Sequence, residues 1–136
     1  MTDLSADRFG PLIRISERAF VHETALIYGQ VDIAEDCSVW PHAVIRSEVH
    51  EVLIGKGSNV QDFAMIHVGY NHPTIIGEMC SITHHATIHG ATLGNNVLVG
   101  INATVMDGAV LGDNVIVAGH TIVPEGMVVP ENSIIA

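Results

Sequence analysis

An aliphatic residue returns every six positions along most of this chain. The run Ile15, Val21, Ile27, Ile33, Val39, Ile45 resumes at Ile54, Val60, Ile66 and again at Ile76, Ile82, Ile88. It then continues through Leu93, Val99, Val105, Leu111, Val117, Val123, Val129 and Ile135. Four positions after an anchor stands a small or β-branched residue, as in Ala43, Cys80, Ala86, Val97, Ala103, Ala109 and Thr121. Gly55, Gly77, Gly94, Gly100 and Gly112 follow their anchors directly. A period of six matches neither the 3.6 of a helix nor the 2.0 of a plain strand. It matches a short strand plus a turn, repeated. Three such units close a triangular coil of 18 residues. The anchors point inward as ladders, small residues fill the corners, and Gly or Asn take the turn dihedrals. Each coil hydrogen-bonds to the next about 4.8 Å away, and only a stack of coils buries its inner face.

The pattern therefore predicts an all-β chain wound as a parallel β-helix. It forms a single domain over 1–136, with 1–14 as lead-in and 15–136 as coils. A sandwich of short strands also spaces its turns regularly, but twenty anchors with three interruptions favour the coil. On this reading Cys37 and Cys80, each four residues after an anchor, are core fillers without chemistry.

The interruptions mark where function belongs. Ile45 to Ile54 is nine residues, so three are inserted around Glu48 to Val52. Ile66 to Ile76 is ten, with four inserted around Gly69 to His72, and Ile88 to Leu93 is five, one short. Loops that break a rigid scaffold commonly carry function, and histidines cluster here. Ile45, Ile66 and Ile88 are three anchors apart, so Arg46, His67 and His89, which follow them, stack in one outward column. Two imidazoles one coil apart, roughly 5 Å between backbones, can share one metal ion at about 2.0–2.1 Å. Asp62 and His84, two residues beyond Val60 and Ile82, form a second column on another side. His84 then meets His67 and His89 only across a subunit boundary, as in a threefold homotrimer with three equivalent sites. The competing reading is that surface histidines do nothing special. It serves for His22, His42, His50, His72 and His120, and His85 is ambiguous because it adjoins His84.

Composition narrows the function classes. Five Lys+Arg against 15 Asp+Glu give a net charge of -10, which repels phosphate backbones and argues against nucleic acid. Hydrophobic residues make 48% and aromatics 4%, so the core is aliphatic. No apolar run nears the ~20 residues of a membrane span. The polar stretch Met1 to Phe9 is no signal peptide, and the cytoplasm is the default compartment.

At these residues the sequence resembles the gamma-class carbonic anhydrase family, from about Ile15 to the end. Ala43-Val-Ile-Arg46-Ser-Glu48 is similar to that family's strand ending in Arg-x-Asp, and Asn59-Val-Gln61-Asp62 to its Asn-x-Gln-Asp segment. Thr83-His84-His85-Ala86-Thr87-Ile88-His89-Gly90 resembles its Gly-His-x-Ala-x-Leu-His-Gly segment. The resemblance implies a left-handed β-helix, a homotrimer, and zinc or iron(II) held by His67, His84 and His89, one of them from a neighbouring subunit. It implies an Arg46–Asp62 ion pair across that interface, Gln61 beside the water on the metal, and Asn59 supporting the interface. The activity implied is reversible hydration of CO2 to bicarbonate. Three neutral histidines leave a position where water is acidified to a pKa of about 7.

Four departures temper this. Glu48 replaces the acidic Asp, and Val49 stands where some members have a proton-transferring glutamate. The loop Gly69 to His72 is short and lacks an acid. The chain stops at Ala136, where many members continue into a C-terminal helix that is therefore expected to be absent. Weak or conditional hydratase activity follows, with His50, His72 or His85 as substitute proton carriers. Two rivals stand beside it. One is a hexapeptide acyltransferase, or a metal-dependent thioester hydrolase, acting on acyl-CoA. The other is a trimer whose metal only staples subunits.

Overall fold

The computed structural model describes residues 8–136, so residues 1–7 of the expected lead-in lie outside it. Among the described residues there is no helix, only short parallel strands winding through about seven turns. This is the left-handed parallel β-helix. None of the described residues forms a helix long and apolar enough to cross a membrane.

The coil has three faces. One carries Phe20–Val21, Ser38–Val39, Asn59–Val60, Ser81–Ile82, Leu98–Val99, Ile116–Val117 and Ile134–Ile135, a seven-stranded sheet. The other two are joined into an eleven-stranded sheet because Leu26–Ile33 and Val44–Ile54 run unbroken around the corner between them. Residue pairing follows the repeat: Ile45 lies beside Ile66, Ile66 beside Ile88, and Ile88 beside Val105. All four are wholly buried. Such ladders make the core, and each fully buried Ile or Val contributes about 1.5–3 kcal/mol relative to exposure.

The corners explain residues that the repeat leaves open. Left-handed backbone recurs at Asp36, Met79, Asn96, Asn114 and Asn132 on one corner, and at His42, Phe63, His85, Asn102 and His120 on another. Asn, Asp and His are enriched in that conformation, so His42, His85 and His120 serve as corner residues. The glycines after the anchors do a different job from the one the repeat suggests. Their dihedrals are ordinary, but a Cβ on Gly55 would lie 2.5 Å from the carbonyl oxygen of Gly77, and one on Gly77 would lie 2.3 Å from that of Gly94. Close approach of stacked coils, not turn geometry, requires glycine there.

All three interruptions stack at a single corner. Gln30 alone stands opposite Glu48, Val49, His50 and Glu51, a bulge in the strand Val44–Ile54. The next coils place 68–73, then Gly90 and Ala91, at the same corner. The bulge is tied to the loop above it where His50 Nε2–H donates to the Tyr70 carbonyl at 2.9 Å.

Cys37 and Cys80 are unbridged and buried, and desolvation raises both thiols above the ordinary value of 9.0. A raised thiol pKa favours the folded state while the thiol is protonated. That stability is fully present below the unfolded-state pKa and is lost as pH rises through the folded-state value. Thiol-reagent labelling at pH 8 should therefore be slow until the protein is unfolded; rapid labelling of either native cysteine would contradict the burial. Ile82→Ala, in the heart of one ladder, should cost about 2–5 kcal/mol, read as a lower midpoint in urea unfolding.

Candidate metal centre

His67 and His89 end their strands Met65–His67 and Thr87–His89, which pair in register. The anchors Ile66 and Ile88 point inward, so alternation turns both imidazoles outward on the same face. His67 Nδ1 stands 3.0 Å from His89 Nε2, and the rings meet edge to face at 4.8 Å. Arg46, one coil earlier, pairs in register with His67. Its Nη2 lies 3.1 Å from His67 Nε2, and Glu48 Oε1 lies 2.6 Å from the same nitrogen. The hydrogen bond with His67 holds the Glu48 carboxyl below the usual carboxylate range, with Arg46 adding to the effect.

Two further residues organise this column. Thr74 is wholly buried. Its hydroxyl donates to the His67 carbonyl and accepts from the Gly90 amide at 2.9 Å, linking the two histidine-bearing coils. Asp107 accepts from His89 Nδ1–H through Oδ1. With Nδ1 donating, the lone pair of the neutral ring lies on His89 Nε2, the atom that faces His67 Nδ1. Neither residue was legible as a site member in the sequence. The coil after His89 carries Val105, register partner of Ile88, with Asp107 two residues beyond it, and that was the available signal.

His84 sits on a different corner. Its Nδ1 is 3.3 Å from Asp62 Oδ1, and it borders an open groove with Ser38, Trp40, Asn59, Gln61 and Asp62. Gln61 Nε2 donates to Asn59 Oδ1 at 3.0 Å, and Asn59 Nδ2 donates to Ser81 Oγ at 3.1 Å. This relay engages the Gln61 amide nitrogen and leaves its oxygen as the acceptor. Beside the groove the Phe63 ring stacks between His42 and His85 at 5.1 and 4.9 Å, which stiffens the turn carrying His84.

One chain thus gathers Arg46, Glu48, His67, His89 and Asp107 on one side, and Asn59, Gln61, Asp62 and His84 on another. Arg46 contacts Glu48 at 3.5 Å, and its expected partner Asp62 faces His84 within the chain. Among the described residues no cluster of three or more ligating side chains forms within a single copy. Of the suggested proton carriers, His50 binds the Tyr70 carbonyl, His72 lies against Gly108, and His85 stacks on Phe63.

Gly90 is required where it stands. Its φ is +61°, and a Cβ there would lie 2.8 Å from the Gly69 amide. Gly90→Ala should lower stability by at least about 1–2 kcal/mol, measured by urea unfolding.

Comparison with known proteins bears on the family and the fold. The family model described as the GMPPB C-terminal domain matches residues 9–136. A protein named probable carbonic anhydrase from Methanocaldococcus jannaschii is 46% identical over 91 residues, covering 67% of this chain and 57% of its own. Gamma carbonic anhydrase 1, mitochondrial, from Arabidopsis thaliana is 37% identical over 99 residues, covering 68% and 36%. The chain thus spans about half the length, or less, of these curated relatives. Among solved structures, a hexapeptide transferase family protein from Anaplasma phagocytophilum superposes with a TM-score of 0.86 at 33% identity, over 90% of this chain and 72% of that one. The chain belongs to the family described by the GMPPB C-terminal domain and to the gamma-class carbonic anhydrase family.

Proposed function

We propose that this protein is a metal-dependent carbonic anhydrase, hydrating CO2 reversibly to bicarbonate. The observation that carries the reading is the pair His67 and His89, held in register with ring nitrogens 3.0 Å apart. The names of the relatives at 46% and 37% identity support it.

The donor set suits a borderline cation such as zinc or iron(II), for which imidazole is a good ligand. His67 and His89 of one copy and His84 of a neighbouring copy would hold it. Three copies closed about a threefold axis would form three equivalent sites. When bound, the ion supplies Lewis acidity that makes water nucleophilic near neutral pH. The chain's own residues do the rest. The Gln61 oxygen, left as the amide's acceptor by the relay through Asn59 to Ser81, would accept a hydrogen bond from a water at the site and orient it. The groove beside Trp40 gives CO2 an apolar wall. Arg46 and Asp62 meet across the interface as opposite charges and fix the register of the copies. Proton export is the slow step, because Val49 carries no acid.

An acyl-CoA-binding reading draws on the hexapeptide transferase likeness. Five Lys+Arg among 136 residues supply few partners for CoA phosphates, which weighs against it.

Stopped-flow CO2 hydration on zinc-loaded and iron(II)-loaded protein tests the proposal, with metal content and assembly mass measured on the same samples. The expected result is a rate above background that is lost in His67→Ala together with the metal. Bound metal without any rate leaves a structural staple, and acetyl-CoA binding by calorimetry would favour the transferase reading.

A further inference from the structure

We infer that Asp107 is the positioning residue for His89, seated in a notch built by two glycines, and that it fixes which imidazole nitrogen His89 offers to a metal. The inference rests on the metal-site reading above and extends it to a residue outside the ligand set. Asp107 Oδ1 accepts from His89 Nδ1–H. The pair is only partly exposed, with side-chain values of 32% for His89 and 26% for Asp107, so water competes weakly for either partner. With Nδ1 engaged, the lone pair lies on Nε2, the atom turned toward His67.

The notch makes this contact specific. A Cβ at Gly69 would fall 2.5 Å from Asp107 Oδ2, and one at Gly90 would fall 3.0 Å from Asp107 Oδ1. The carboxylate therefore occupies space that side chains at both positions would fill. The Gly108 amide donates to the Gly90 carbonyl at 2.7 Å, which locks the coil bearing Asp107 onto the coil bearing His89. Asp107 thus enters the site from the coil after His89, on a backbone held by the same hydrogen bonds that stack the helix. A carboxylate on the far nitrogen of a ligating histidine fixes its tautomer and raises its basicity, and its loss typically costs about 10–100-fold in metal affinity.

The test uses the full-length assembled protein, with zinc as the probe against a competing chelator. It adds two-bond proton–nitrogen correlation spectra of the histidines in metal-free protein. Asp107→Ala should weaken zinc binding by about 10–100-fold at unchanged assembly mass, and His89 should leave the Nδ1–H tautomer. Gly69→Ala, which retains every ligand and the carboxylate, should move both readouts in the same direction and replaces Asp107→Ala if that variant fails to fold. Unchanged affinity and tautomer overturn the inference, as does weakened binding with the tautomer intact, which makes Asp107 a packing residue. If wild-type protein takes up no zinc, the metal reading itself fails. The tautomer alone then decides on Asp107, and persistence of Nδ1–H in Asp107→Ala overturns it.

Discussion

The coil-to-coil hydrogen bond governs this molecule. Each coil donates to and accepts from its neighbours along parallel strands, so every residue has a fixed partner one turn away. Inward positions become aliphatic ladders such as Ile45, Ile66, Ile88 and Val105. Outward positions become columns in which chemistry accumulates: Arg46, His67 and His89 are neighbours in space although they lie about twenty residues apart in the chain. The backbone sets the spacing, and the side chains have only to be placed at the right step of the repeat.

This constraint divides the candidate site. Two imidazoles share a column, whereas His84 stands with Asp62 on another corner, and no movement of a side chain within a rigid coil unites them. The neighbouring groups are arranged accordingly. Glu48 and Arg46 surround one nitrogen of His67, Asp107 engages the outer nitrogen of His89, and the buried Thr74 hydroxyl links the two coils. Loss of the Glu48, Arg46 or Asp107 contact would let a ring turn without disturbing the ladders beneath it, whereas Thr74 holds the backbones of the two coils.

Much of this was legible in the sequence because a six-residue period is a geometric statement. Counting three anchors from Ile66 to Ile88 already stacks His67 on His89, and counting from Val60 to Ile82 sets Asp62 below His84. What the count misses are contacts that leave the column. Asp107 approaches from a corner one step off register, so the count brings it beside the column without marking the contact, and Thr74 faces inward from beyond the inserted loop, where periodicity carries no mark. The glycines after the anchors were visible as a pattern, but their cause was hidden. Turn dihedrals and close coil approach write the same letter, and only the 2.3–2.5 Å distances to opposing backbone at Gly55 and Gly77 tell them apart. Likewise a histidine in a left-handed corner, as at His42 and His120, cannot be told from a functional one by spacing.

The three interruptions share one corner, where Glu48 to Glu51 bulge opposite Gln30 and the loop through Tyr70 lies above. Chain length is therefore adjustable at that corner and conserved mechanically at the other two, since an extra residue elsewhere would rotate every later column out of line. The β-helix in effect has a seam. Length variation enters along it without unwinding the cylinder, and it does so immediately beside the histidine column.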